Sequence, residues 1–358
     1  MRQVHGMKSR GSFWELIQHQ KKLDRKRYFR LIRTARTFIA IMLSISIAVF
    51  VGIAIFSSGG ISAVAAMVAS VDPLYVLAAM AAVFGGYLIS FFKWRYYLKT
   101  LGIDIPVSTN FSAYMSLYSM ELTPGRVGRV VAAYTLKRAS KKKFMGVLPI
   151  VSVDIFTDYL GFIALSLIMG LLFINYLPII LLVDVLLLFP FLFILSPWLF
   201  NAIKRHVLRG RFSELLATYG EEYFAAQTKL NNHRVYLVSM LFSLPSAFLN
   251  SVSLYLVLLG LGIKATILPA LLVFVVSTVV GILSLVPGTI GTTDVTMLAL
   301  LVSTFGISTA AAAAATILTR IATIWFGVLL GTAFLFYTFR FWEPRRHGKK
   351  VKPGGATK

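Results

Sequence analysis

Six ionisable residues sit inside otherwise apolar stretches of the sequence: Glu121, Asp154, Asp158, Asp184, Asp294 and Arg320. Charged side chains in such surroundings are costly, so they mark ion pairs, substrate paths or proton sites. Asp154 and Asp158 are four residues apart and share one face of a helix. Two close carboxylates need a cation, and Arg320 stands out as the base deep in an apolar stretch. The expectation is that Arg320 pairs with one or both aspartates across the interface between two halves of the chain. Paired carboxylates also serve glycoside hydrolysis, but two on one helix face cannot flank a substrate bond. Asp184 lies alone among leucines, as a proton or cation site or as a carboxyl hydrogen-bonded inward.

Two turns join these residues as candidates. Glu121-Leu-Thr-Pro-Gly-Arg-Val-Gly-Arg129 and Ser284-Leu-Val-Pro-Gly-Thr-Ile-Gly-Thr292 share L-x-P-G-x-x-G at an offset of 163. Proline removes a backbone donor and glycine permits a tight break. A break at membrane depth leaves backbone groups that must be buried in protein or line a polar cavity. The N-terminal end of the following half-helix favours a phosphate or carboxylate. The turns, with Gly125, Gly128, Gly288 and Gly291, are therefore candidates for an anion site; the alternative is packing kinks with satisfied partners. Arg126 and Arg129 at the first turn suit a phosphate-bearing lipid headgroup. No Gly-Lys-Ser/Thr follows either turn, which argues against a nucleotide P-loop.

The elements that must position these residues follow from composition. Of 358 residues, 58% are hydrophobic and 14% charged, with mean hydropathy +0.79. Soluble domains run about 45–50% apolar and about 25% charged. The expectation is an all-α polytopic membrane protein. There are no cysteines, which excludes disulfides and thiolate sites, and the five histidines are scattered through polar segments, so neither metal nor cofactor is expected. Apolar runs predict six full spans at 37–56, 73–92, 146–174, 179–200, 235–259 and 309–339, with a loop over 57–72. Shorter apolar arms at 107–122, 127–136, 267–286 and 290–304 flank the two Pro-Gly turns. The small residues Ala310–Ala315, Gly327 and Gly331 on the last span predict close helix packing.

The net charge of +23 invites a nucleic-acid reading. The distribution replaces it. Five segments, 1–36, 93–99, 126–143, 201–234 and the tail from 340, hold 34 of the 36 Lys and Arg. The positive-inside rule puts them all in the cytoplasm, with both termini. The two Pro-Gly hairpins then enter from opposite sides, which predicts an inverted-topology repeat of six spans plus two re-entrant hairpins, or eight spans if the hairpin arms cross. Residues 37–174 form the first repeat and 175–339 the second, with a cytoplasmic loop over 201–234. Residues 1–36 read as a basic amphipathic segment, on an anionic leaflet or simply flanking the membrane, and not as a signal peptide. Residues 340–358 read as a basic disordered tail.

The run Pro287-Gly-Thr-Ile-Gly-Thr-Thr-Asp294 resembles the P-G-G-x-G-x-x-E signature of the lysylphosphatidylglycerol synthase transmembrane (flippase-like) family, as does its continuation through Gly306-Ile307, the alanine run, Leu318-Thr-Arg320 and Trp325. Pro124–Arg129 and Asp154–Asp158 are similar to that family's P-x-R-x-G-E and E-R-x-x-D segments. The resemblance covers roughly residues 35–340. Asp294 stands for the usual Glu, Arg129 for Glu, Ala132 for a base and Ile155 for Arg. The resemblance implies a lipid translocator, which elsewhere accompanies a synthase or glycosyltransferase domain. With no soluble segment beyond about 35 residues, too short for such a domain, it implies a stand-alone member rather than an enzyme. The expectation is a multi-pass plasma-membrane protein that moves an anionic or isoprenoid-linked lipid between leaflets. Arg126, Arg129 and Arg320 would take the headgroup, and Glu121, Asp154, Asp158 and Asp294 would set the cavity's polarity. The alternative is a non-catalytic partner of a separate glycosyltransferase or aminoacyltransferase. Membrane lipids are the expected partners, nucleic acid is not, and the oligomeric state is open.

Overall fold

The computed structural model describes residues 37, 40–55, 59–123, 126, 129–140, 142–195 and 222–341. The described residues form helices joined by turns and short irregular segments, with no strand among them. The helices are α1 (Ala40–Ile55), α2 (Gly60–Ala69), α3 (Pro73–Thr100), α4 (Val107–Met115), α5 (Val130–Ser140), α6 (Phe144–Leu172), α7 (Leu177–Leu195), α8 (222–230), α9 (His233–Gly260), α10 (Ile267–Leu283), α11 (Thr292–Phe305), α12 (Thr309–Arg320) and α13 (Phe326–Phe341). A 3-10 turn, Ser116–Met120, extends α4, and a π-helical turn, Ile321–Trp325, joins α12 to α13. Among the described residues, five stretches are long and apolar enough to cross a membrane, or six if α1 and α2 count as one bent span. The chain is a multi-pass membrane protein.

The five include Pro287–Phe305, which contains an arm of the second expected hairpin, while the described apolar part of α7 falls short of the length. Two boundaries differ from expectation. The loop over 57–72 contains α2, a charge-free, alanine-rich helix packed on α12. The second span does not stop at Phe92: α3 runs eight residues further, to Thr100, because apolar and aromatic side chains continue on its buried face. That carries Lys93 inside the protein. Within the expected loop 201–234, α8 is helical, and Lys143 at the start of α6 pairs with Glu222 on it. The expectations for 1–36, 201–221 and the tail from 342 lie outside the described residues.

α3 and α9 have matching anatomy. Both are 28 residues long. Asp72 Oδ1 accepts from Leu74 N–H (2.9 Å) and Asn232 Oδ1 from Arg234 N–H (3.0 Å), so each start is capped. Both end in Leu-Gly-Ile. Ile103 N–H donates to Leu98 O (2.9 Å) and Ile263 N–H to Leu258 O (3.0 Å), with Gly102 at φ 64° and Gly262 at φ 71°. These are Schellman ends, in which glycine takes the left-handed conformation. Helices α4 and α10 then begin at the same offset of 160.

α3 and α9 pack against each other antiparallel along their length. Tyr97 OH donates to Ser239 Oγ (2.8 Å), Lys93 Nζ to Ser243 Oγ (3.2 Å), Ser90 Oγ to Ser246 Oγ (2.9 Å) and Ser246 Oγ to Gly86 O (3.0 Å). At the far end Asp72 N–H donates to Gly260 O (2.9 Å). The stripe Gly86, Ser90, Lys93, Tyr97 follows helical spacing, as does Ser239, Ser243, Ser246, Asn250. Small and polar residues at such an interface let backbones approach and supply interhelical hydrogen bonds. The expected close packing of the last span is present: all six residues Ala310–Ala315 are buried, and a methyl at Gly331 would lie 2.3 Å from Ser119 N.

Candidate functional site

The second Pro-Gly segment and the described residues beside the first, Leu122, Arg126 and Arg129, come together near the α3–α9 seam. In the second, Leu285 (φ 53°), Gly288 (φ 62°), Thr289 (φ 55°) and Gly291 (φ 86°) all have left-handed backbones. A β-branched residue such as Thr289 resists that conformation. In the first, Arg126 has φ 58°; Pro124, Gly125 and Gly128 lie outside the described residues. The segments touch: a methyl on Gly288 would lie 2.6 Å from Leu122 Cδ2. Beside this contact is a cavity of about 120 Å³. Glu121, Arg126 and Arg129 line it from the first break and Asp158 from α6. Gly288 and Thr289 come from the second break, Arg320 from α12 and Ser243, Ser246 and Asn250 from α9.

The charges fall into two groups. Around the first break, Lys93 Nζ lies 2.6 Å from Asp158 Oδ1 and 3.2 Å from Asp154 Oδ1, and donates to Thr157 Oγ1 (3.1 Å). Arg129 donates to Glu121 Oε2 (2.8 Å) and from Nη1 to Asp158 Oδ2 (2.9 Å) and Asp154 Oδ2 (3.3 Å). Arg126 Nε lies 2.7 Å from Glu121 Oε1, and its Nη1 3.5 Å from Asp158 Oδ2. The guanidinium carbons of Arg126 and Arg129 also sit over the rings of Tyr159 (5.1 Å) and Tyr118 (5.3 Å), in cation–π geometry. Three cations thus face three carboxylates. Buried pairs persist only when geometry and further hydrogen bonds offset their desolvation, and the Tyr97 hydroxyl bonded to Thr157 Oγ1 (2.8 Å) belongs to that support.

The second group is smaller. Arg320 donates from Nε to Asp294 Oδ1 (2.5 Å) and from Nη2 to the Thr289 carbonyl (3.3 Å) and Oγ1 (3.2 Å). Asp294 Oδ2 accepts the Gly291 N–H (2.7 Å). Arg320 therefore clamps the strained second break to the helix that follows it.

This corrects two expectations. Arg320 pairs with Asp294, in its own half, and not with Asp154 or Asp158, because Lys93 and Arg129 already neutralise those two. The Gly291 N–H is not free for an anion, because Asp294, three residues on, closes it as a capping box does. The structure does bring Glu121, Arg126, Arg129, Asp158, Gly288 and Arg320 to one cavity. Asp184 is elsewhere: its Oδ2 accepts from Ser166 Oγ (2.7 Å) where α6 meets α7, so the inward hydrogen bond holds. In sequence, Lys93 is masked as a site residue by the basic run Lys93-Trp94-Arg95 that it opens. The signal was its place in the Gly86, Ser90, Lys93, Tyr97 stripe. Among the described residues, no group of histidine and carboxylate side chains is placed to hold a metal ion.

A polytopic helical membrane protein with an internally paired ionic cavity between two broken helices is the class these features define. Residues 38–331 match the family model of the lysylphosphatidylglycerol synthase TM region, and the chain belongs to that family. It is also similar to a UPF0104 membrane protein of Methanothermobacter thermautotrophicus, 24% identical over 306 residues, covering 74% of this chain and 86% of the relative.

Proposed function

We propose that the protein is a non-enzymatic translocator that passes an anionic phospholipid or isoprenoid-linked phosphate lipid between leaflets. The observation that carries this reading is the single cavity shared by Arg126, Arg129 and Arg320 at two helix breaks that touch through Leu122 and Gly288. Arginine forks suit phosphate oxygens, and a cavity of about 120 Å³ fits a headgroup phosphate with some water while the acyl chains stay in the bilayer. The proposed architecture is an inverted repeat, 37–174 and 175–339, with re-entrant hairpins. The matching caps, lengths and glycine ends of α3 and α9 support it, and so does their antiparallel packing, since equivalent helices that run in opposite directions belong to inverted halves. Such halves rock about a shared site, exposing it to each side in turn. The proposed location is the cell membrane with both termini in the cytoplasm, a reading supported by the distribution of the basic segments.

A second reading, a membrane partner of a separate lipid-modifying glycosyltransferase or aminoacyltransferase, draws on the completeness of the ion pairing, which also suits a static scaffold. Reconstitution separates the two. Fluorescent phosphatidylglycerol in sealed vesicles becomes accessible to an external quencher in both leaflets if the protein translocates it. Quenching confined to the outer leaflet, with fluorescent polyprenyl phosphate equally immobile, removes the translocator reading.

A further inference from the structure

We propose that a groove where α3 ends beside α9 is a fixed binding site for an anionic phospholipid, separate from the cavity between the breaks. The groove holds about 710 Å³ and shares no lining residue with that cavity. Its volume falls within the about 300–1,000 Å³ usual for small-molecule sites. Three elements build it. On α3, Lys93, Trp94, Tyr97 and Leu98 are buried, while Phe92, Arg95, Tyr96 and Lys99 follow at helical spacing on the more open side and line the groove. α9 supplies Val238 and Phe242, one turn apart, and α4 supplies Asn110. The result is an apolar floor with a basic rim, and the Phe92 ring lies open on it at 54% exposure.

The depth suits a lipid. Pro73–Phe92 carries no charge, and about 20 apolar residues fill a bilayer core. Arg95 and Lys99 therefore fall just past the hydrocarbon, at the level of the phosphates, with their stems along the apolar floor. Phe242 adjoins Ser243, which bonds Lys93 (3.2 Å), so it lies close to the depth of Phe92, among acyl chains. The Tyr96 ring sits at the boundary, where such rings gather. Asn110 adds a directed contact. It is 5% exposed, and its Oδ1 accepts from Trp94 Nε1 (3.0 Å). That commits the carbonyl side of the amide to the protein, and among the described residues no partner takes up its N–H2 side, which is left for a phosphate or ester oxygen.

Charge selects the occupant. Arg95 and Lys99 face one carboxylate among the lining residues, the exposed Asp104, so the groove carries one positive charge in excess. A phospholipid with a single negative charge balances it; a zwitterionic one does not. The chain's own segments outside the described residues repeat the sign of the rim: residues 1–36 hold eleven Lys and Arg against two acids, 201–221 four against two, and 342–358 six against one. A lipid seated in the groove bridges α3, α4 and α9 where α3 leaves the bilayer. The inference stands whether or not the central cavity moves lipid.

Photocrosslinking locates the occupant. The full chain carries the photoreactive residue benzoylphenylalanine in place of the exposed Phe92 and sits in vesicles of equal parts phosphatidylglycerol and phosphatidylcholine. The expected adducts are lipid, with phosphatidylglycerol favoured by at least about tenfold, the scale of two basic contacts at a membrane surface. Adding Arg95→Gln and Lys99→Gln is expected to bring the ratio to about one. A ratio near one with the rim intact, a ratio unmoved by the two substitutions, or adducts chiefly with a second copy or with this chain's own segments overturns the inference. Native mass spectrometry of the otherwise unaltered chain checks it without the photoreactive residue: Arg95→Gln/Lys99→Gln is expected to retain about one phosphatidylglycerol fewer than the wild type while keeping any lipid of the central cavity. Equal retention by the two proteins overturns the inference and leaves the translocator reading untouched.

Discussion

Arg320 and Asp294 form a closed pair within the second half of the chain, Nε to Oδ1 at 2.5 Å, and the same carboxylate caps the start of its own helix through the Gly291 N–H. In the first half the signs are reversed: the break carries the arginines, and the helix that crosses it, α6, carries the aspartates. Each break is thus pinned by a charge on a later helix, with opposite polarity in the two halves.

Pairing within halves predicts a pattern of couplings. Arg320→Ala leaves Asp294 buried without its cation and is expected to cost about 3–5 kcal/mol. Thermal unfolding in detergent should show coupling of about 0.5–3 kcal/mol between Arg320→Ala and Asp294→Asn. The combination of Arg320→Ala with Asp154→Asn should be additive within about 0.5 kcal/mol. Strong coupling of Arg320 to Asp154 would restore the cross-half pair expected from sequence.

Lys93 is the support of the first network. Lys93→Met keeps the length of the side chain and deletes the charge, leaving Asp154 and Asp158 to Arg129 and Arg126. The expected loss is again about 3–5 kcal/mol, partly recovered when Asp158→Asn is added. Melting temperatures of the single and double variants check this.

Glycine contacts predict a sharp contrast among alanine substitutions. At Gly161 an added methyl would lie 2.7 Å from the Ser243 carbonyl oxygen, and at Gly331 2.3 Å from Ser119 N, both backbone atoms. Overpacking of this kind costs about 1–3 kcal/mol. Gly146, also helical, has nothing within 4 Å of the added carbon, and Gly146→Ala should be neutral or stabilising by up to about 1 kcal/mol. Equal effects at all three positions would contradict the close α6–α9 and α13–turn contacts.

The helices and the candidate residues were legible in sequence to different degrees. Composition fixed the class, and apolar runs found the cores of the long helices. The end of α3 is not legible because Lys93, Arg95 and Lys99 look like a membrane boundary when their faces are not separated: Lys93 is buried while Arg95 and Lys99 point outward. The L-x-P-G-x-x-G turns located the breaks. Pairing is not legible, since a carboxylate's partner depends on which helices cross: the Asp154–Asp158 spacing points to Arg320, whereas the structure gives Arg320 to Asp294. The Leu101-Gly-Ile103 and Leu261-Gly-Ile263 match and the seam of serines were present in sequence, but their meaning comes from the α3–α9 contact.

The central claim is that anionic lipid passes through the cavity between the two breaks, and the comparison of wild type with Arg126→Ala tests it most directly. Arg126 is the most accessible of the first-break cations, with 20% of its side chain exposed. The assay is translocation of fluorescent phosphatidylglycerol in sealed proteoliposomes, with each protein first shown to be folded and inserted. The account predicts protein-dependent movement in the wild type and a loss of at least about tenfold in Arg126→Ala, the scale of one charge-assisted contact. Equal rates for the two proteins, or a wild-type rate no faster than that of protein-free vesicles, would contradict it.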